Sequence, residues 1–162
     1  MLTSRGYELS NILNAILVSY NYPSISGVTF SETTNDFVIS GEDRELAGKG
    51  YRAIIYASIL IALQELLFNK NYSIGPSVLD SPLVTYRKPS AQDEGITVDL
   101  AMDFYRYLAT NSKVAQVIIL ENEEPPTDIT PLINHITFTQ NLRSGRYGFI
   151  PVPAGTQTTL LE

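Results

Sequence analysis

Leu9, Ile12, Leu13, Ile16, Leu17 and Tyr20 recur at helical spacing, with Ser10, Asn11, Asn14 and Ser19 between them. The pattern predicts an amphipathic helix over about residues 6–20, with Pro23 just beyond its end. Val28-Thr29-Phe30 and Phe37-Val38-Ile39 flank the polar turn Thr33-Thr34-Asn35-Asp36 and read as an antiparallel hairpin. Gly48 and Gly50 open a second predicted helix, about residues 50–68. Its middle, AIIYASILIAL, is apolar on every face, which predicts burial on all sides.

Gly75-Pro76 then breaks the chain before Ser77-Val78-Leu79-Asp80, a short apolar strand ending in a carboxylate. A third helix is predicted over about 97–111, with Val98, Ala101, Met102, Tyr105 and Leu108 on one face. Gln116 to Leu120 reads as a buried strand ending at Glu121-Asn122. Ile136-Thr137-Phe138 and Tyr147-Gly148-Phe149-Ile150 read as later, shorter strands. The order helix, strand, helix, strand after residue 50 predicts parallel βαβ packing, hence an α/β domain.

At 162 residues with 44% hydrophobic content, the chain can build one sizeable core. It has no cysteine, which excludes disulfides and thiol chemistry and fits a reducing cytoplasm. The net charge of −6 argues against the chain as a whole binding nucleic acid by itself. The longest apolar stretch, Ala53 to Leu63, is too short for a membrane span of roughly 20 residues, so no membrane partner is expected.

Ligands of parallel sheets gather at the C-terminal ends of strands. Asp80 and Glu121-Asn122 occupy such ends on consecutive strands. An apolar strand ending in Asp suits a Mg²⁺-nucleotide site, since a hard cation prefers carboxylate oxygen. The plainer reading of Asp80-Ser81-Pro82 is a strand-end turn, and that of Gly48-Lys49-Gly50 an ordinary loop before a helix. Glu121 to Pro126 equally fits a solvated acidic loop. The single histidine, His135, reads as structural, and the 10 tyrosines as core or interface residues rather than base-stacking platforms, since the surrounding charge is negative. Arg143 and Arg146 flank a late turn that could touch phosphate or a partner, or be merely solvated.

GKGYRAIIYASILIAL, Gly48 to Leu63, resembles the signature motif and following helix of SMC-like ATPases, usually SGGEKA or SGGERT. In that register Gly50 falls on the second signature glycine, Arg52 on the basic residue and Ala53 on the small one. SVLDSPL, Ser77 to Leu83, resembles Walker B and the start of the D-loop. GKGYRA, VLDSPLVTYR, QVIILENEEPP and GRYGFIP together resemble a group of bacterial AAA- or SMC-like ATPases, over roughly residues 6–152.

The resemblance implies the C-terminal lobe of a P-loop NTPase head of the SMC-like or ABC-like kind. Parallel strands with packed helices would be joined by the N-terminal helix and hairpin. Residues 1–25 would end a coiled-coil arm, 26–155 would form the lobe and 156–162 a tail. Asp80 would help hold Mg²⁺, and Gly48, Lys49, Gly50 and Arg52 would face ATP bound to a second head. Pro82, Leu83 and Val84 would form the D-loop at that interface. The implied partners are a Walker A lobe, a second head and, through other parts of the protein, DNA; the implied tasks are DNA repair, chromosome handling or phage defence.

The departures are informative. Ser81 stands where the family has its catalytic Glu, and the switch histidine is missing. A serine cannot serve as the same base at neutral pH; Glu121 is the candidate replacement, with Asn122 beside it. No GxxxxGK[ST] loop occurs, so the chain alone is expected to bind ATP weakly and not to hydrolyse it. A non-catalytic interaction module derived from such a head is the alternative expectation.

Overall fold

A computed structural model describes residues 4–82, 98–111, 116–141 and 143–150. The chain divides into two compact units, Met1–Ile129 and Thr130–Glu162. The first unit is mixed α/β.

Helix α1 spans Ser4–Ser19 and buries Leu13, Ile16 and Leu17 of the predicted stripe; Leu9 and Ile12 are half-buried, and Ser10, expected on the polar side, is buried with its hydroxyl donating to Gly6 O at 2.8 Å. It ends because Asn21 takes a left-handed conformation (φ 58°), which lets Tyr22 N–H reach back to Leu17 O at 3.0 Å. Asparagine tolerates that region and so terminates helices. Strands β1 (Val28–Ser31) and β2 (Asp36–Ile39) form the expected antiparallel hairpin, Val28 opposite Ile39. Ser40-Gly41, both at positive φ, turn the chain into a short unanticipated third strand, β3 (Glu42–Asp43).

Helix α2 spans Lys49–Phe68. It too stops at a left-handed asparagine, Asn71 (φ 63°), with Tyr72 N–H on Leu67 O at 2.9 Å. Burial on all sides is not observed. Ile54, Ile55, Ala57, Ser58, Ile61, Ala62 and Gln64 are buried, whereas Arg52 and Tyr56 on the opposite side are exposed. The covered side has a partner in α1; the outer side has none among the described residues. By length and composition α2, extending beyond Ala53–Leu63, could cross a membrane. Its inward face belongs to the protein core, with bonded polar groups: Ser58 donates to Ile54 O (2.8 Å) and Gln64 to Gly75 O (3.1 Å).

Helices α1 and α2 run antiparallel. Lys70 pairs with Glu8 at 3.0 Å, and twelve residues further along α1 Tyr20 meets Ser58, twelve back along α2. Leu13, Ile16, Leu17 and Tyr20 share one core with α2, the hairpin and the later elements. Helix α1 therefore contributes to this unit's core, and the division between the two units falls at Ile129/Thr130.

Strands β4 (Ser77–Asp80) and β5 (Val117–Leu120) pair in parallel, Asp80 level with Leu120, with helix α3 (Val98–Asn111) between them in sequence. This is the expected βαβ order. The core face of α3 is turned from the expected one: Leu100, Ala101, Phe104 and Leu108 are buried, while Met102 and Tyr105 are only partly covered. Phe104 meets the edge of Tyr20 at 5.7 Å between ring centres, so the aromatic floor under α1 selects the stripe. Strand β5 is half-buried rather than buried: among the described residues the sheet has two strands, with one side packed on the core.

The second unit contains no counterpart of the two expected late strands among the described residues. Phe138 and Arg146 form one isolated bridge instead. Between them the chain folds into a tight loop held by Thr139, whose hydroxyl donates to Ser144 O at 2.6 Å.

Candidate functional site

Two groups of predicted residues occupy two places in the first unit. The first is the start of α2. Gly48 caps it in extended conformation (φ −53°, ψ 150°) and supplies no side-chain cap. The leading N–H groups of a helix have no intrahelical partner and carry partial positive charge. A methyl at Gly48 would meet only Tyr51 Cδ2, at an ordinary 3.7 Å. The fold therefore does not require glycine there, whereas close approach of a ligand to the backbone would. Lys49 and Arg52 are exposed. Arg52 turns back to donate to Glu45 O at 3.3 Å, towards the 3₁₀ turn Arg44–Leu46.

That turn is anchored by a pair the sequence reading missed. Arg44 grips Asp36 of β2 with Nε and a terminal nitrogen, at 2.8 and 2.7 Å. Hydrogen bonding from Arg44 first, and its charge, hold the Asp36 carboxyl below its usual range. The fork ties the hairpin to the segment leading into Gly48 and so positions the helix start. Opposite charges eight residues apart across a turn were the available signal.

The second place is the C-terminal edge of β4–β5. Ser77 and Leu79 are buried, Val78 and Asp80 exposed. In register, Val117 and Ile119 join the core side, while Ile118 and Leu120 share the outer face with Asp80. Ser81 extends the ladder by one bond, N–H to Leu120 O at 2.8 Å, then leaves it at a left-handed φ of 46°. Its hydroxyl lies 3.2 Å from Asp80 Oδ1 and 3.4 Å from Leu120 O, both acceptors. Pro82 is buried; Leu83 and Val84 lie outside the described residues.

Glu121 is half-buried and Asn122 exposed. Tyr105 of α3 feels Glu121: burial first, then the negative charges of Glu121 and Glu123, push its hydroxyl well above the usual phenol range. Asp80 lies on the exposed face of the pair, level with Leu120, and Glu121 follows one residue beyond the ladder.

Among the described residues no three His, Asp or Glu side chains converge to hold a metal ion. Asp80 fits as a single hard-oxygen ligand, one carboxylate oxygen engaged by Ser81 and the other open. A Mg²⁺ there would need its remaining oxygens from water and phosphate, as Mg²⁺ commonly arranges. Compared with known proteins, the chain matches no family model and no curated sequence.

Proposed function

We propose that this chain is the C-terminal lobe of an SMC-like or ABC-like P-loop ATPase head, acting in the cytoplasm. The observation that carries the reading is the parallel pairing of β4 and β5, which puts Asp80 at a C-terminal strand edge on an uncovered face. The N-terminus of α2, led by Gly48 and without a side-chain cap, supports it as a phosphate-facing surface. In this reading Asp80 orients a Mg²⁺-bound nucleotide held chiefly by a Walker A lobe. Gly48 to Gly50, with Lys49 and Arg52, meet the phosphates held by a second head. Bound Mg²⁺ would neutralise phosphate charge. Ser81, in the place of the usual Glu, contributes a hydrogen bond that holds the Asp80 carboxylate and no base. Turnover is accordingly slow.

The test is assembly. The reading requires a Walker A segment encoded upstream of Met1 or on a companion chain. Joined to it, the lobe should dimerise on addition of Mg-ATP in sedimentation velocity, and Asp80→Ala should abolish that response. Absence of any Walker A partner, or association indifferent to nucleotide and to Asp80, favours the alternative of a non-catalytic docking module. The exposed Val78 and Leu120 beside Asp80 fit that alternative.

A further inference from the structure

The chain's acidity is not shared by its second unit. Residues 130–162 hold two of the 11 basic residues, Arg143 and Arg146, and one of the 17 acidic ones, Glu162 at the end. That unit carries +1 and the remainder −7. The same short stretch presents its aromatic rings outward: Phe149 is 72% exposed, Tyr147 39% and Phe138 38%.

The rings are set, not loose. Phe138 and Phe149 meet edge to face at 6.2 Å and 82°. Arg146 lies over Phe138, 5.5 Å from the ring centre, and donates to Phe149 O at 3.2 Å. Backbone bonds from Thr139 to Arg146 O (2.8 Å) and from Gln140 to Tyr147 O (3.0 Å) clamp the two arms. At the bend, Gly145 has φ +67°, and a β-carbon there would fall 2.8 Å from Thr139 Cγ2. Only glycine closes this loop. Among the described residues neither Arg143 nor Arg146 makes an ion pair.

We propose that Phe138, Arg143, Arg146, Tyr147 and Phe149 form a small site for single-stranded nucleic acid. Exposed rings offer faces on which bases stack, and the two arginines meet the phosphates between them. A purely apolar partner would leave both cations without a counter-charge, and an acidic peptide would leave the rings without flat partners. A duplex keeps its base faces stacked inside. The proposal concerns a different part of the chain from the nucleotide reading and stands independently of it.

The experiment is fluorescence anisotropy of a labelled oligothymidine of about ten nucleotides, within the usual footprint range, titrated with the full chain at low salt. With two phosphate contacts, log K should fall with log salt at a slope of about −1.4, and Arg143→Ala or Arg146→Ala should each remove about 0.7 of it. Phe149→Ala should weaken binding roughly ten-fold. Phe149→Leu keeps the apolar bulk without the ring and should weaken it as much. Circular dichroism melting checks that each variant is folded. Three results overturn the proposal: no binding at about 1 mM chain, well above usual non-specific constants; wild-type binding by the folded Phe149→Leu variant; or equal competition by polyglutamate or by duplex of the same length.

Discussion

Tyr20 and Ser58 lock α1 to α2 at the centre of the core, and the structure predicts how unequally their removal is felt. Both side chains are fully buried. Ser58 donates its only hydroxyl proton to Ile54 O at 2.8 Å, so in the contact with Tyr20 the phenol is the donor and Ser58 Oγ the acceptor. In Ser58→Ala the Tyr20 hydroxyl loses its acceptor in a site without water access. A buried unsatisfied polar group costs about 1–3 kcal/mol, so about 2 kcal/mol is expected. In Tyr20→Phe the serine keeps its bond to Ile54, and the loss is that of an ordinary hydrogen bond, about 1 kcal/mol. The double variant leaves neither an orphaned phenol nor an orphaned hydroxyl. It should be no less stable than Ser58→Ala alone, with a coupling of about 1–2 kcal/mol. Urea unfolding followed by circular dichroism and tyrosine emission measures all three; the midpoints should order wild type, then Tyr20→Phe, then Ser58→Ala. Additive losses, or a Tyr20→Phe variant weaker than Ser58→Ala, would refute the donor assignment and the burial argument together.

Three further outcomes follow from the same geometry. Arg44→Ala should destabilise by about 1 kcal/mol, as expected for a bidentate, partly exposed pair. Because Asp36 is depressed in the folded state, the pair's contribution should be present above the free carboxyl value of 3.8 and fade as pH falls below it, which acid titration of wild type against Arg44→Ala checks. Tyr22 behaves oppositely: burial, then the charges of Tyr51 and Glu42, push it up to about 12, so its contribution is intact below pH 10.0 and lost as pH rises towards 12. In alkaline melts the stability difference between wild type and Tyr22→Phe should be constant below pH 10.0 and shift against wild type as pH rises towards 12. Asn14 Oδ1 is buried in α1 with no hydrogen-bond partner among the described residues, so Asn14→Leu should stabilise by about 1 kcal/mol in the same urea assay; a loss of stability would show the amide to be satisfied.

The elements legible in the sequence are those whose own residues decide them. The stripe Leu13-Ile16-Leu17-Tyr20, the hairpin around Asn35 and the carboxylate ending β4 all appear where local pattern places them. Failures occur where the partner decides. Helix α3 carries two apolar stripes, one through Met102 and Tyr105 and one through Leu100 and Phe104; the buried ring of Tyr20 picks the second. The late runs ending in Phe138 and Ile150 have strand-like composition, but Gly145 and Thr139 close the chain into a loop before a ladder can form. At the candidate site, the identity of Asp80 was legible from an apolar run ending in Asp. The pairing that sets Asp80 level with Leu120 was not, since it joins two strands about forty residues apart.

Parallel sheets ordinarily have both faces covered, because their crossovers lay helices on each side. Among the described residues β4 and β5 pack one face on the core, and the other shows Val78 at 57% and Leu120 at 40% exposure, with Asp80 beside them at the strand edge. Two strands with a bare apolar face are not self-sufficient. The face that lacks cover is also the face that carries the candidate metal ligand, which a structural turn would not require and a shared site would. The two readings of the chain part on that point. If another lobe completes the site, Val78→Asp should abolish assembly with and without nucleotide, while Asp80→Asn should abolish only the nucleotide-dependent part. If the face is a docking surface alone, Asp80→Asn should leave assembly unchanged and Val78→Asp should still destroy it. Both positions are exposed, so neither substitution should shift the lobe's own stability by more than about 0.5 kcal/mol.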